Sequence, residues 1–234
     1  MTSKDSHFVD VRILRDKYEE EKGNDIQTKA CLDWAFAGKS RITKEINRDA
    51  GKLKSWHNVW DHWIDSKSND PESDEADMTL QEDGTTLEEG VNVDAVGGVE
   101  TTYEEQWKDL PVDAIGKKQK RSSIVLKADD SEIKVKGMVV KVGGWCQGML
   151  KIGDKLTIER WQRRPVDQHK DEEEDDNVGE STRTRNDWVR VFRLGTATLP
   201  CKEICSRTMG KNGTNITMKD DQQIEWRVIE EYYY

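Results

Sequence analysis

The chain has 234 residues, of which 36% are charged and 34% apolar, and its formal net charge is −10. This length suits one large all-β unit or two small ones, and the acidic balance argues against a nucleic-acid-binding surface, which needs a basic field. The nine Trp residues indicate folded cores, because a chain that does not fold seldom keeps so many large apolar side chains.

The N-terminal residues contain no apolar segment typical of a signal peptide, and no apolar run approaches the roughly 20 residues of a membrane helix. We therefore expect a protein with no membrane association and no nucleic-acid partner. The expected location is cytoplasmic, with the nucleus as a second possibility.

Short runs rich in Val, Ile and Trp predict β-strands. In chain order they cover residues 7–14, a Trp-rich stretch ending at 63, and residues 122–127, 135–142, 155–161, 188–194 and 224–229. Helical segments are predicted only at 15–22, 103–107 and 200–207. Acidic, Gly-containing composition predicts long solvated loops at 66–90 and 166–185.

Many short strands and few helices predict an all-β fold. Each half of the chain contains a Trp followed by Gly, and then another Trp on a later strand, which hints at a duplication. The prediction is two small antiparallel β-barrel domains at residues 1–110 and 122–234, joined by a charged linker at 111–121.

Motifs for metals, cofactors and nucleophilic catalysis are lacking. The four cysteines (Cys31, Cys146, Cys201 and Cys205) have no C-x-x-C spacing, so neither a zinc site nor a disulfide framework is indicated. His57 and His62 would face opposite sides of a strand and could not bind one metal ion. We expect no cofactor and no metal.

The Trp-rich strand offers a candidate binding surface. Alternation along it places Trp56, Asn58, Trp60, His62 and Ile64 on one face. These aromatic residues either fill the core of a small barrel or line a ligand cavity. His62 is the candidate for acid–base chemistry, and the alternative is a buried histidine that is hydrogen-bonded to a neighbour.

The second half offers polar candidates beside its own Trp residues. Gln147 could hydrogen-bond a ligand oxygen, and Arg160 either holds an anionic oxygen or lies on the outer face with its stem over Trp161. Glu88 and Glu89 precede Gly90, where a surface turn is favoured over a lid carboxylate.

Six segments, in order along the chain, resemble the fungal Hri family. They are Asp33–Gly38, Trp60–Asp65, Glu88–Gly90, Arg121–Lys127, Gly144–Gly148 and Glu225–Glu230. The family is named for a yeast member that interacts with a casein-kinase-1 homologue. The resemblance implies two lipocalin-like β-barrels, an architecture similar to that of fungal hetero-Diels–Alderases of tropolone–sesquiterpene pathways.

Two functions follow from the residues and the resemblance together. The first is binding of a small apolar or tropolone-like molecule, with hetero-Diels–Alder catalysis by His62, Gln147 and Arg160 as its enzymatic variant. The second is a protein-interaction module with a kinase partner, docked through the acidic run at 171–176. The aromatic residues predicted to line the ligand site are Trp34, Phe36, Trp60, Trp63, Trp145, Trp161 and Trp226.

Overall fold

The computed structural model describes residues 1–93, 98–114, 120–166, 185–206, 217–219 and 223–234. These residues form two antiparallel β-sheets, with two short α-helices and one 3-10 turn among the described elements. The predicted all-β class is confirmed. In the described part of the chain, no helix is long and apolar enough to cross a membrane.

The first sheet is a meander in which each strand pairs with the next. Its strands are β1 (His7–Ile13), β2 (Leu32–Asp49), β3 (Lys52–Asp65), β4 (Asp74–Leu80), β5 (Thr86–Val93) and β6 (Glu100–Trp107). Helix α1 (Arg15–Glu21) and the 3-10 turn (Lys29–Cys31) lie between β1 and β2.

Side chains from the two outer strands of this sheet meet. Arg12 on β1 contacts the carboxylate of Glu105 on β6, and its guanidinium lies 5.9 Å from the ring centre of Trp107 on β6. In a flat sheet of six strands the outer strands would be about 24 Å apart. The first sheet is therefore strongly curled, with β1 and β6 facing each other across its concave side.

The second sheet has the strand order β11-β10-β9-β8-β7-β13-β12. Its strands are β7 (Ser122–Asp130), β8 (Val135–Val142), β9 (Trp145–Ile152), β10 (Lys155–Val166), β11 (Arg185–Leu194), β12 (Thr217–Lys219) and β13 (Glu225–Tyr233). Helix α2 (Cys201–Ser206) packs against one face, where Cys201 and Ile204 join a core cluster with Leu150, Trp226 and other buried residues.

The opposite face of the second sheet packs against the first sheet. Val9 and Ala37 from the first sheet share a second core cluster with Val125, Met149 and Ile158 from the second. The central strands β7, β8 and β9 are consequently buried on both faces, which explains their nearly continuous apolar sequences. The first sheet ends at Trp107 and the second begins at Ser122.

Most strand predictions are confirmed, but several segments differ. Strands β2 and β9 were not predicted. The predicted loop at 66–90 contains β4 and the start of β5, and the predicted helical turn at 103–107 is part of β6. The predicted helices at 15–22 and 200–207 correspond to α1 and α2. Most of the predicted loop at 166–185, with its acidic run at 171–176, lies outside the described residues.

Candidate functional site

The concave face of the first sheet carries an unusual concentration of aromatic and charged side chains. The strand registers place on this face Phe8, Asp10 and Arg12 of β1, Trp34 and Phe36 of β2, Trp60 and His62 of β3, Glu88 of β5, and Tyr103, Glu105 and Trp107 of β6. We treat this concave face as the candidate site.

A bulge in β3 determines which side chains reach the site. Ala37 pairs with Ile64 and Gly38 pairs with His62, so Trp63 is the extra residue. His62 consequently faces the concave side, whereas Ile64 joins the core between the two sheets. The sequence-based placement of Ile64 on the His62 face is therefore wrong, because simple alternation fails at the bulge.

His62 lies inside an aromatic cluster. Its ring stacks on Phe36 at 4.2 Å between centroids, with Trp34 at 5.6 Å and Phe8 at 6.1 Å. The side chain is 3% exposed, and its Nδ1 lies 3.4 Å from the carboxylate of Asp65. Its Nε2 is buried and has no hydrogen-bond partner among the described residues.

Asp65 fixes the orientation of this cluster. Its carboxylate accepts hydrogen bonds from the Trp34 indole at 2.9 Å and from the backbone amides of Lys67 at 2.6 Å and Ser68 at 3.1 Å. Burial alone would raise the pKa of Asp65, but the hydrogen bonds from His62, these amides and Trp34 lower it below its ordinary value. A carboxylate beside Nδ1 favours the tautomer that carries the proton there, which leaves the Nε2 lone pair free.

Arg12 lies at the mouth of the site. Its guanidinium is 5.1 Å from the ring centre of Trp34 and 5.4 Å from that of Phe36, and it also contacts Asp10 and Glu105. This end of the site borders solvent, because Trp107 is 37% exposed. A planar cation over aromatic faces can both stack on a ligand and hold an anionic oxygen.

Glu88 is a buried carboxyl group in the same concave face. It is 2% exposed and accepts hydrogen bonds from the Tyr103 hydroxyl at 3.0 Å and the Trp107 indole at 2.7 Å. Burial raises the pKa of Glu88 despite these two hydrogen bonds. The expectation of a surface turn at Glu88 and Glu89 is wrong, since both residues lie on β5.

The raised pKa of Glu88 makes a pH-dependent prediction. A raised pKa in the folded state means that the contribution of Glu88 to stability is complete below its unfolded pKa and is lost as the pH rises through its folded pKa. Gln does not titrate, so the stability of Glu88→Gln relative to wild type should increase from about pH 4 toward neutrality. Urea unfolding across this range measures the difference, with Glu89→Gln, an exposed neighbour, as the control. If the stability of Glu88→Gln relative to wild type stayed constant or decreased with rising pH, the raised pKa of Glu88 would be contradicted.

The structure does not bring the three predicted catalytic residues together. The Gln147 amide donates to the Val9 carbonyl at 2.7 Å, and Arg160 donates to Gln147 at 2.5 Å and to the Val11 carbonyl at 2.9 Å. Both side chains therefore hold the edge of β1 from the second sheet, two strands away from His62. A catalytic role for Gln147 and Arg160 stays a prediction.

The predicted aromatic residues divide among several environments. Trp34, Phe36 and Trp60 lie on the concave face, whereas the fully buried Trp226 belongs to the α2 core. Trp161 packs against that same core and donates to Glu159 at 2.7 Å. Two others are half-buried elsewhere: Trp63 packs beside the core between the sheets, and Trp145 begins β9.

Several residues of the site were not predicted to belong to it, and Glu88 was considered as a lid carboxylate but assigned to a surface turn. Phe8, Arg12, Asp65 and Glu88 come from three different strands, and no local motif connects them. A signal was available only for Phe8 and Arg12, because alternation along β1 places them together on one face. In the described residues, no group of His, Cys, Asp or Glu side chains is arranged to hold a metal ion.

A curled antiparallel sheet with an aromatic concave face, packed against a second antiparallel sheet, defines a barrel-type all-β protein. The chain belongs to the HRI1 family, because the family model described as "Protein HRI1" matches residues 1–230. This result confirms the resemblance noted in the six sequence segments. Among curated proteins, none matches the chain.

A solved structure shares this fold. It is the crystal structure of an uncharacterized protein from Saccharomyces cerevisiae, 18% identical, with a TM-score of 0.62 over 99% of this chain and 89% of that chain. At this identity the likeness concerns the fold alone.

Proposed function

We propose that the concave face of the first sheet binds a small, planar, largely apolar molecule that carries a hydroxyl group. The observation that supports this most strongly is Nε2 of His62, which is buried in an aromatic cluster without a partner among the described residues. An unsatisfied buried polar atom costs about 1–3 kcal/mol, and a ligand hydroxyl would remove that cost.

The surroundings of His62 fit such a ligand. Trp34, Phe36 and His62 pack together and give a planar ring apolar, aromatic surroundings. Arg12, which also pairs with Asp10 and Glu105, can hold a second, partly anionic oxygen. A tropolone-like molecule combines these properties, since it has a planar ring and two adjacent oxygens. The family and its barrel-type fold are consistent with a binding module.

The enzymatic variant of this proposal requires little further machinery. A hetero-Diels–Alder reaction mainly needs two reactants held in one orientation, and such positioning can supply up to roughly 7–11 kcal/mol of barrier lowering. His62 could take a proton from the hydroxyl of the bound reactant through Nε2. Adduct yield and stereochemistry equal to a protein-free control would remove this variant and leave the binding function intact.

The hypothesis of a protein partner, including a kinase, stays a prediction. Its proposed docking segment at 171–176 lies outside the described residues.

The binding function is tested by pairing a ligand change with a residue change. Tropolone has the hydroxyl group and tropone lacks it, while His62→Phe keeps a ring of similar shape and removes both nitrogens. Wild type should bind tropolone about tenfold more tightly than tropone, because about 1.4 kcal/mol of hydrogen bonding corresponds to a factor of ten. The His62→Phe variant should lose this preference in isothermal titration calorimetry.

His57→Phe is the matched control for this experiment. His57 lies on the same strand but outside the site, and its Nδ1 is 2.7 Å from the carboxylate of Asp77. This variant should keep the wild-type preference for tropolone. Equal affinity of the wild type for tropolone and tropone, or an unchanged preference in His62→Phe, would refute the proposed role of His62.

A further inference from the structure

A groove separate from the concave face runs between the two sheets. Its main cavity has a volume of about 390 Å³ and is bordered by the end of β3, the β3–β4 loop and the two hairpin turns β7–β8 and β9–β10. A neighbouring cavity of about 340 Å³ shares Ser68, Asn69, Lys151 and Asp154 with it. Volumes of this size are typical of small-molecule sites.

Two lysines enter the main cavity from adjacent strands. Lys136 on β8 and Lys151 on β9 are directly paired in the antiparallel register. Side chains at such positions have Cβ atoms about 4.5–5.5 Å apart, and like charges there repel. The sequence therefore keeps two cations side by side in a half-buried groove.

Neither ammonium group has a carboxylate partner within salt-bridge distance in the described part of the chain. Lys136 donates to the Trp63 carbonyl at 3.3 Å, and Lys151 donates to the carbonyls of Asp65 at 2.8 Å and Ser68 at 2.7 Å. Burial lowers the pKa of Lys151, and Lys136 acts in the same direction, against the opposing effect of Asp65 and Asp154. Backbone oxygens satisfy the hydrogen bonds but do not neutralise the charges.

The carboxylates that border the cavity are already engaged. They belong to Asp65, Asp129, Asp130 and Asp154. Asp65 is turned toward the His62 site, Asp129 lies 3.1 Å from Lys127, and Asp154 accepts from Asn69 at 3.0 Å. Asp130 accepts hydrogen bonds from two backbone amides in the β7–β8 turn. Amide hydrogen bonds leave Asp130 and Asp154 charged, so the lining carries both signs of charge. Its cationic part is the adjacent pair Lys136 and Lys151, together with Lys134 in the β7–β8 turn.

An aromatic side chain completes the groove. The bulge in β3 sends Trp63 toward the second sheet, where it borders the cavity and lies 4.0 Å from the Lys127 ammonium, measured to the ring centre. A ring and two cations in one small cavity suit a planar molecule with an anionic substituent.

We propose that this groove binds an anionic small molecule, a carboxylate or phosphate ester attached to a planar ring. The anionic group lies between Lys136 and Lys151, and the ring packs against Trp63. This site is independent of the proposed ligand on the concave face.

Calorimetric titration of the full chain with three probes tests the proposal. Phenyl phosphate and benzoate carry the two candidate anionic groups, and benzyl alcohol is the neutral analogue. At least one anion should bind, and benzyl alcohol should bind at least about tenfold more weakly. Tighter binding of phenyl phosphate identifies a phosphate site, and tighter binding of benzoate identifies a carboxylate site.

Lysine variants locate the binding. Lys136→Met and Lys151→Met keep the aliphatic stem and remove one charge, and each should weaken anion binding by about tenfold or more. Lys155→Met, an exposed position on the β9–β10 hairpin outside the cavity lining, should stay within about twofold of wild type. Melting curves establish that each variant is folded. If Lys151→Met does not fold, the anion affinity of Lys136→Met alone tests the proposal. The proposal would be overturned if neither anion bound, if benzyl alcohol bound as tightly as the anions, or if Lys136→Met kept the wild-type affinity for the anion.

Discussion

Replacement of Trp226 by alanine is expected to lower the free energy of unfolding by about 3–5 kcal/mol. Trp226 is fully buried and belongs to the core between α2 and the second sheet. Its ring fits so closely over Gly137 that a Cβ atom added there would lie 2.4 Å from the ring. Alanine would leave a large cavity that the surrounding strands cannot fill.

Urea unfolding followed by circular dichroism measures this loss. Trp226→Phe should cost less than the alanine variant, because the buried indole nitrogen has no partner among the described residues and little hydrogen bonding is lost. Ile229→Ala on the same strand is the control, since Ile229 is exposed and its change should stay within about 0.5 kcal/mol. A cost below about 1 kcal/mol for Trp226→Ala would mean that this core is not closely packed.

Replacement of Gly38 by alanine should cost about 3 kcal/mol and also disrupt the His62 site. A Cβ atom at this position would lie 1.9 Å from the carbonyl oxygen of Asp61 and 3.1 Å from the amide nitrogen of Trp63. Both are backbone atoms of β3 and cannot rotate away. The strand would have to move at the point where the bulge directs His62 into the concave face.

The two effects of Gly38→Ala are measured separately, by urea unfolding and by tropolone titration. Gly84→Ala is the matched control, because Gly84 has a φ of +83° but nothing within 4 Å of an added Cβ. It should cost only about 1 kcal/mol of backbone strain and leave tropolone affinity unchanged. Wild-type stability and affinity in Gly38→Ala would contradict the bulge geometry described for β2 and β3.

Strands β7 and β8 were predictable because both of their faces are apolar. β7 and β8 contain runs such as Ile124–Leu126 and Met138–Val140, which are recognisable without any tertiary information. The two short helices were also recognisable, because the segments that contain them lack the runs of Val and Ile that mark these strands. The all-β class followed from these elements.

Strands β4, β5 and β6 of the first sheet were harder to recognise, because their sequences contain many acidic residues. β4 buries only Ala76 and Met78 among exposed or half-buried polar neighbours, so its composition looked like that of a loop. Glu88 was unpredictable for a different reason. Its partners Tyr103 and Trp107 are 15 and 19 residues further along the chain and approach it only when β5 and β6 pair.

The distribution of the aromatic residues depended on tertiary structure. Alternation correctly placed Trp60 and His62 on one face, but it could not reveal the bulge that moves Ile64 to the other. Similarly, nothing in the sequence showed that Gln147 and Arg160 would hydrogen-bond the edge of β1 instead of facing a ligand. These contacts join residues that are more than 100 positions apart.

The most direct test of ligand binding at the concave face is the ¹⁵N NMR spectrum of the histidine side chains during tropolone titration. The chain has four histidines, so His62→Phe and His57→Phe suffice to assign the two relevant sets of signals. A hydrogen bond from the ligand to Nε2 of His62 should shift that resonance, while both nitrogens of His57 keep their positions. The spectra are compared at tropolone concentrations that saturate the calorimetric binding curve. The proposed site would be contradicted if the His62 signals stayed unchanged, or if only the His57 signals shifted.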